Sequence, residues 1–138
     1  MCKRIEKNLY RIIDANINRT REGLRVCEDI CRFFYNKKTV TQKYKNIRHI
    51  LTDILSQLNI TAFVEARDAV KDVGKISSKS EMQRKNVDDI FYANSQRVKE
   101  SIRVLEECSK LLDSKASQRF KELRYDIYTL EKKIMKNL

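Results

Sequence analysis

An internal repeat constrains the fold of this chain more than any other feature. The segment from Ala15 to Glu28 aligns without gaps on the segment from Ala93 to Glu106, with seven of fourteen positions identical. The identical pairs are Ala15 and Ala93, Asn16 and Asn94, Arg19 and Arg97, Glu22 and Glu100, Arg25 and Arg103, Val26 and Val104, and Glu28 and Glu106. Downstream, the Ile-Arg-His run at 47–49 is similar to the Leu-Arg-Tyr run at 123–125. Each half therefore predicts the same unit, a long helix followed by a shorter one.

Residues that interrupt helices are nearly absent. The 138 residues include no Pro and only two Gly, whereas a typical domain of this length has roughly ten Gly and seven Pro. An all-β fold is thereby excluded. Apolar residues at helical spacing predict helices from about Ile5 to Tyr35, Val40 to Leu58, Lys79 to Leu112 and Lys115 to Lys136. We expect a single all-α domain over 1–138, a four-helix bundle built from two duplicated helical hairpins with a pseudo-twofold.

The predicted helix starts carry capping residues, and the repeats are separated by a distinct connector. Thr39 with Gln42 and Ser78 with Glu81 form capping boxes, and Ser114 caps the last helix. The repeats span about 10–58 and 88–136, and the connector at 59–77 has no counterpart in either. An irregular segment added to a regular scaffold is where function tends to lie.

The charge of the chain points to an anionic partner. Lys and Arg number 30 against 19 Asp and Glu, a net charge of +11, which attracts nucleic acid, a membrane surface or a phosphorylated small molecule. The basic residues are scattered, and the arginines described below border apolar stripes instead of forming one exposed face with stacking aromatics. We therefore expect no nucleic acid or membrane partner. The polar start and the lack of a long apolar run predict a cytoplasmic protein.

The four cysteines lack the paired spacings of zinc sites. Cys27 and Cys31 lie one helical turn apart on the apolar stripe of the first helix, and the others are Cys2 and Cys108. This placement favours buried thiols over metal ligands. The lone His49 faces away from the apolar stripe of its helix and has no evident partner for nucleophilic catalysis.

The repeated motif places polar residues beside the predicted core. Asn16 and Asn94 fall within apolar stripes, and Arg19 and Arg97 fall on their borders. One interpretation is that Asn pairs and Arg–Glu contacts fix the register of the two halves, with Gly23 and Ser101 allowing close helix approach. The other is a pocket, in which the small residue opens space, Asn supplies a donor and an acceptor, and Arg binds an anion.

Two further arginines favour the pocket. Arg48 and Arg124 lie at the edges of the apolar stripes on the second and fourth helices, and guanidinium groups in partly desolvated seams suit bidentate phosphate binding. We predict that these arginines and Arg19 and Arg97 bind phosphates, and that Glu22 and Glu100 orient them. The predicted substrate-binding set is Asn16, Arg19, Glu22, Arg48, Asn94, Arg97, Glu100 and Arg124.

The connector suggests a magnesium nucleotide site. Carboxylates and arginines alternate around a glycine there, and Mg²⁺ takes one or two carboxylates plus phosphate oxygens. The pattern predicts Arg67, Gly74 and Arg84 as nucleotide-binding residues and Asp68 and Asp72 as metal ligands. A solvated linker rich in helix caps is the alternative. The chain has no Walker-type phosphate loop and no dinucleotide fingerprint.

These motifs together resemble one known family. The runs at 14–29, 93–107 and 120–131, with Arg-Asp at 67–68 and Asp-Val-Gly at 72–74, are similar to the small all-helical hydroxymethylpyrimidine-phosphate kinases. That family occurs alone or fused ahead of thiamine-phosphate synthase. The resemblance spans about residues 10–131, and its most specific element is the doubled Asn-Xaa-Xaa-Arg-Xaa-Xaa-Glu motif. Lys75 and Cys108 depart from the pattern that we expect of the family.

The resemblance implies a monofunctional kinase of thiamine biosynthesis. It would transfer the γ-phosphoryl of ATP to 4-amino-5-hydroxymethyl-2-methylpyrimidine phosphate and give the diphosphate that the synthase consumes. The alternative is a non-catalytic helical domain that binds thiamine-phosphate synthase or its pyrimidine substrate. The residues alone leave the number of sites open, and long helices with bordering apolar residues are compatible with a homodimer.

Overall fold

All regular structure in the described part of the chain is helical. The computed structural model describes residues 3–79 and 82–137. Its α-helices are α1 (Lys3–Asp29), α2 (Lys38–Ser56), α3 (Ile60–Glu65), α4 (Val87–Ser109) and α5 (Ser114–Met135), and a π-helical turn at Ile30–Phe34 continues α1. The predicted all-α class is confirmed within these residues. No helix among them is both long and apolar enough to cross a membrane.

The four long helices enclose one apolar core. Helix α1 packs along α4, α4 along α5, and α2 contacts both α1 and α5, while the short α3 lies on α1. Leu24, Tyr44, Phe91, Ile102 and Phe120 are each at most 1 % exposed. Helical spacing also predicts Ile12 and Phe34 on the buried apolar stripe of the first helix, and this prediction is wrong, because they are 46 % and 61 % exposed. The duplicated four-helix bundle with a pseudo-twofold stays a prediction, since α3 adds a fifth helix.

Several predicted helix ends differ from the structure. The third long helix begins at Val87, eight residues later than expected, and its cap is Asn86, whose side chain accepts from the Asp89 amide at 2.8 Å. Ser78 lies outside any helix, and Glu81 lies outside the described residues. Helix α2 begins at Lys38 without a side-chain cap, so the Thr39–Gln42 box is not formed.

The last helix is capped one residue earlier than predicted. Its N-cap is Asp113 instead of Ser114, and the Asp113 side chain accepts from the amides of Lys115 and Ala116 at 2.9 and 3.3 Å. A carboxylate at this position also interacts favourably with the positive end of the helix. The sequence predicts the correct turn, but the predicted cap lies one residue after the observed one.

The predicted irregular connector contains a helix. Residues 60–65 form α3 because Asn59 caps it, accepting from the Ala62 amide at 3.2 Å, and because Phe63 is 2 % exposed. The Phe63 ring packs edge-on against Tyr10 of α1, with ring centroids 5.0 Å apart. The chain after α3 is therefore held against the first half of α1.

The predicted burial of the thiols is confirmed for two of the four cysteines. Cys27 and Cys31 are fully buried, Cys108 is partly buried, and Cys2 lies outside the described residues. Loss of hydration raises the pKa of Cys27 to about 12 and that of Cys31 to about 11. Both thiols therefore stay protonated near neutral pH and have low reactivity.

The small residues of the repeat lie at the contact between α1 and α4. A Cβ atom on Gly23 would lie 2.6 Å from Val98 Cγ2 and 3.1 Å from the Asn94 carbonyl oxygen. Nearby, the hydroxyl groups of Thr20 and Ser101 form a buried hydrogen bond of 2.6 Å. The absence of a side chain at Gly23 thus lets the two backbones approach closely.

We expect Gly23→Ala to lower the free energy of unfolding by about 1 to 2 kcal/mol, because overpacking outweighs the higher helix propensity of Ala. The measurement is urea denaturation of the wild type, Gly23→Ala, Val98→Ala and the double variant. Truncating Val98 removes the atom that clashes, so Gly23→Ala should cost less in the Val98→Ala background. Equal costs in both backgrounds would show that close approach at this point does not limit packing.

Candidate phosphate-binding groove

The structure brings the first copy of the repeated motif and the connector together in one groove. The groove has a volume of about 560 Å³ and lies between the N-terminal half of α1 and the chain that follows α3. Five of the predicted site residues line it, which are Asn16, Arg19, Arg67, Asp68 and Asp72. Residues from α1 and from the connector, predicted separately as substrate and nucleotide sites, therefore share one surface.

An ion pair joins the two walls of the groove. Arg67 donates from Nε and Nη2 to the Asp14 carboxylate at 2.6 and 2.7 Å, a bidentate contact between residues 53 positions apart. Asp14 is 5 % exposed, whereas the Arg67 side chain is 45 % exposed. These hydrogen bonds and the charge of Asp14 raise the pKa of Arg67 above its ordinary value. No described hydrogen bond uses Nη1 of Arg67, so that edge of the guanidinium group is available to a ligand.

The polar residues of α1 form a connected group in the floor of the groove. Asn16, 3 % exposed, donates from Nδ2 to the Ile12 carbonyl at 2.8 Å and accepts from Nη1 of Arg19 at 3.4 Å. Its amide is thereby satisfied within the helix, and it holds the exposed Arg19 in place. A direct contact between Asn16 and a substrate stays a prediction.

The two aspartates of the connector, Asp68 and Asp72, also line the groove. Asp68 accepts from the Lys71 amide at 3.1 Å and Asp72 from the Gly74 amide at 2.9 Å, each through Oδ1. The described hydrogen bonds leave both Oδ2 atoms unused. No group of three or more metal-ligating side chains occurs in residues 3–79 or 82–137, so a Mg²⁺ ion held here would complete its shell with phosphate oxygens and water.

The other two residues predicted to bind the nucleotide lie apart from the groove. Gly74 and Arg84 are absent from the residues that line it. A Cβ atom on Gly74 would meet only Asp72 Oδ1, at an ordinary distance of 3.6 Å, so nothing in the backbone requires glycine there. The exposed Arg84 donates to the Gln83 carbonyl at 2.7 Å. Nucleotide binding by these two residues stays a prediction.

The arginines of the second and fourth helices bind carboxylates inside the protein. Arg48 donates to Glu28 at 2.7 and 3.2 Å, and Arg124 donates to both carboxylate oxygens of Glu106 at 3.2 and 3.3 Å. The two glutamates are aligned in the repeat, and so are the two arginines. Each pair therefore joins the two helices of one half, α1 to α2 and α4 to α5, which is a structural role within a hairpin. Neither arginine lines the groove.

The second copy of the motif lacks the environment of the first. Asn94 donates to the Ile90 carbonyl at 2.8 Å, as its counterpart does, but neither Asn94 nor Arg97 lines the groove. Among the described residues, no short helix equivalent to α3 follows the second hairpin. Glu22 and Glu100 make no ion pair with the described residues, and Glu100 instead lines a separate surface depression with Tyr128. Glu28 and Glu106, instead of these glutamates, contact Arg48 and Arg124. A role of Glu22 and Glu100 in orienting Arg19 and Arg97 stays a prediction.

Several groove residues were not identified from the sequence. Asn8, Arg11, Asp14 and Asn18 line the groove together with Arg19. Steps of three or four residues relate Asn8, Ile12, Ala15 and Arg19, and the same steps relate Arg11, Ala15 and Asn18. A helical projection therefore places these side chains on one face of α1. Asp14 gave no such signal, because its partner Arg67 belongs to another element.

Residues 11–133 match the ThiD2 family. The chain belongs to this family. It is 40 % identical over 124 residues to a thiamine-phosphate synthase of Prochlorococcus marinus (strain AS9601). The matched segment covers 89 % of this chain and 34 % of that protein.

Other relatives of this ThiD2-family chain carry the same name. A thiamine-phosphate synthase of Nostoc punctiforme is 36 % identical over 134 residues, covering 96 % of this chain and 37 % of that protein. A thiamine-phosphate synthase of Rhodopirellula baltica is 33 % identical over 123 residues, covering 88 % of this chain and 33 % of that protein. The chain thus spans about a third of the length of these curated relatives. The predicted kinship with proteins that contain thiamine-phosphate synthase is confirmed, and kinase activity stays a prediction. No solved structure matches the chain.

Proposed function

We propose that this chain is a helical domain of thiamine biosynthesis that binds the phosphorylated pyrimidine substrate of thiamine-phosphate synthase. The observation that carries the proposal is the groove in which Arg19 of α1 meets Arg67 and Asp68 of the connector. The relatives support the pathway, because the proteins that share this domain are named for the synthase. The volume of about 560 Å³ falls within the range of roughly 300 to 1,000 Å³ that small-molecule sites occupy.

The charges of the groove favour a phosphate bound together with a divalent cation. Three arginines and three aspartates line it, which are Arg11, Arg19, Arg67, Asp14, Asp68 and Asp72. Their formal charges balance, and the pair of Arg67 with Asp14 is closed within the protein. A phosphate dianion therefore meets little net positive charge unless a cation such as Mg²⁺ neutralises Asp68 and Asp72.

The carboxylates of Asp68 and Asp72 also favour a second candidate function, the kinase reaction. A phosphate oxygen of the hydroxymethylpyrimidine phosphate would attack the γ-phosphorus of ATP, the bond from that phosphorus to the bridging oxygen would break, and ADP would leave. Phosphoryl transfer needs positioning and charge neutralisation more than covalent participation by the protein. Asp68 and Asp72 would hold Mg²⁺, and Arg19 and Arg67 would bind phosphate oxygens.

Calorimetric titration of the full chain with hydroxymethylpyrimidine phosphate, with and without Mg²⁺, tests the proposal. We expect saturable binding that Mg²⁺ strengthens at least about tenfold, equivalent to about 1.4 kcal/mol. Absence of binding in both conditions would overturn the proposed function. Inorganic phosphate is the control ligand, and equal affinity for it would show that the groove does not recognise the pyrimidine.

A second assay separates the two candidates. The chain is incubated with ATP, Mg²⁺ and the pyrimidine monophosphate, and both ADP and the pyrimidine diphosphate are measured. Substrate-dependent formation of both products supports the kinase. Binding without ADP release supports a domain that binds the substrate for the synthase.

A further inference from the structure

A run of apolar side chains lies in water next to the groove. Val70, Val73 and Ile76 are 81 %, 103 % and 85 % exposed. Val70 is two residues beyond Asp68, and Val73 directly follows Asp72, both of which line the groove. Exposing several aliphatic side chains so close together to water costs free energy unless another surface covers them in some state of the protein.

The segment that carries these side chains is fixed at its start and weakly held beyond it. Ala66 is 6 % exposed and Arg67 is bound to Asp14. Beyond Asp68, every described hydrogen bond of residues 69–77 stays within 68–75, as from the Lys71 amide to Asp68 and from Lys75 Nζ to the Val70 carbonyl. A segment without buried side chains or hydrogen bonds to the helices moves at little cost in free energy.

Few of the side chains that line the groove are apolar. Its walls are mostly charged or amide side chains, and its apolar members are Ile12, Ala15 and Ala69. Ile12 is 46 % exposed, whereas Ile13 and Ile17 on the same helix are buried. Ile12 lines the same groove as Ala69 and Asp72, which directly precede Val70 and Val73 in the chain.

We propose that residues 69–77 close over the groove when it is occupied, so that Val70 and Val73 cover Ile12 and the pyrimidine ring of the ligand. This inference rests on the proposed function. It adds the two valines as ring-binding residues and makes the groove selective for a phosphate attached to a flat apolar group. Closure also excludes water from the ion pairs between phosphate and arginine, which strengthens them.

Hydrogen exchange of the full chain, followed by mass spectrometry, tests the closure. With saturating hydroxymethylpyrimidine phosphate and Mg²⁺, we expect exchange of the amides in 69–77 to slow at least about fivefold. Inorganic phosphate with Mg²⁺ has no ring for the valines to cover, so it should leave these amides unprotected. Binding of the pyrimidine phosphate without protection of this segment would overturn the closure and leave the proposed function intact.

The double variant Val70→Ser/Val73→Ser provides the matching affinity test. We expect about tenfold weaker binding of the pyrimidine phosphate, unchanged binding of inorganic phosphate, and an unchanged Tm, because both side chains are exposed in the free protein. Phe33→Ser is the control variant. Phe33 is 66 % exposed and lies beyond the C-terminal end of α1, so this variant should bind the pyrimidine phosphate as tightly as the wild type does. Wild-type affinity in the valine variant would also overturn the closure. If the wild type binds no pyrimidine phosphate, the proposed function fails together with the closure.

Discussion

Replacing Arg124 by Met is expected to lower the free energy of unfolding by about 3 to 5 kcal/mol, because it leaves the Glu106 carboxylate buried without its partner. Glu106 is 5 % exposed and Arg124 is 6 % exposed. Burial alone would lower the pKa of Arg124, but its hydrogen bonds to Tyr128 and Glu106 outweigh that effect and raise the pKa. A loss of this size is a large part of the roughly 5 to 15 kcal/mol that stabilises a typical domain.

Two further variants separate the buried pair from an ordinary surface pair. Arg119 donates to Asp53 at 2.6 Å with both side chains exposed, and Arg119→Met should cost at most about 1 kcal/mol. The double variant Arg124→Met/Glu106→Leu removes both buried charges and should recover most of the lost stability. The measurement is urea denaturation.

The same variants decide between the two interpretations of the repeated motif. If Arg124→Met folds as stably as Arg119→Met and instead loses affinity for the pyrimidine phosphate, Arg124 is a ligand-binding residue as the sequence predicted. If it loses stability and the double variant recovers it, the pair of Arg124 and Glu106 is structural and joins α4 to α5 within the second hairpin.

The second large effect is expected at Arg19. Arg19→Ala should weaken binding of hydroxymethylpyrimidine phosphate by about 10- to 100-fold, because a charge-assisted hydrogen bond contributes about 1.5 to 3 kcal/mol. The side chain lines the groove and is held by Asn16. Removing it leaves the apolar core intact, so helicity by circular dichroism and the Tm should not change.

The internal repeat supplies the matched control for this prediction. Arg97 occupies the aligned position on α4 and does not line the groove, so Arg97→Ala should bind the ligand as the wild type does. Titration calorimetry of both variants gives the comparison. Equal losses would indicate two equivalent sites, one in each half, and no loss in either would place the ligand elsewhere.

Local patterns predicted much of the fold because they depend on neighbouring residues. Helical spacing of apolar residues identified the four long helices and the buried faces that contain Leu24 and Ile102. The errors came at helix ends, where the turn provided competing caps at Asp113 and Ser114, and in the connector, where the burial of Phe63 stabilises a helix too short to show a clear periodicity.

The candidate site was predicted in part, and its limits have a physical cause. Periodicity shows which face of a helix a side chain occupies, and it does not show what lies opposite. Arg19 and Arg48 therefore looked alike in the sequence, each on the border of an apolar stripe. The structure separates them, since Arg19 faces a groove and Arg48 binds the buried Glu28.

The sequence by itself determined the helical class, the internal repeat of the motif and the spacing of the arginines relative to the apolar stripes, because all of these follow from positions along the chain. Only the tertiary structure decided that Arg67 reaches Asp14 across 53 residues and that the first copy of the motif, and not the second, lines the groove beside the connector. Contacts between distant segments depend on how whole helices pack, and no local pattern contains that information.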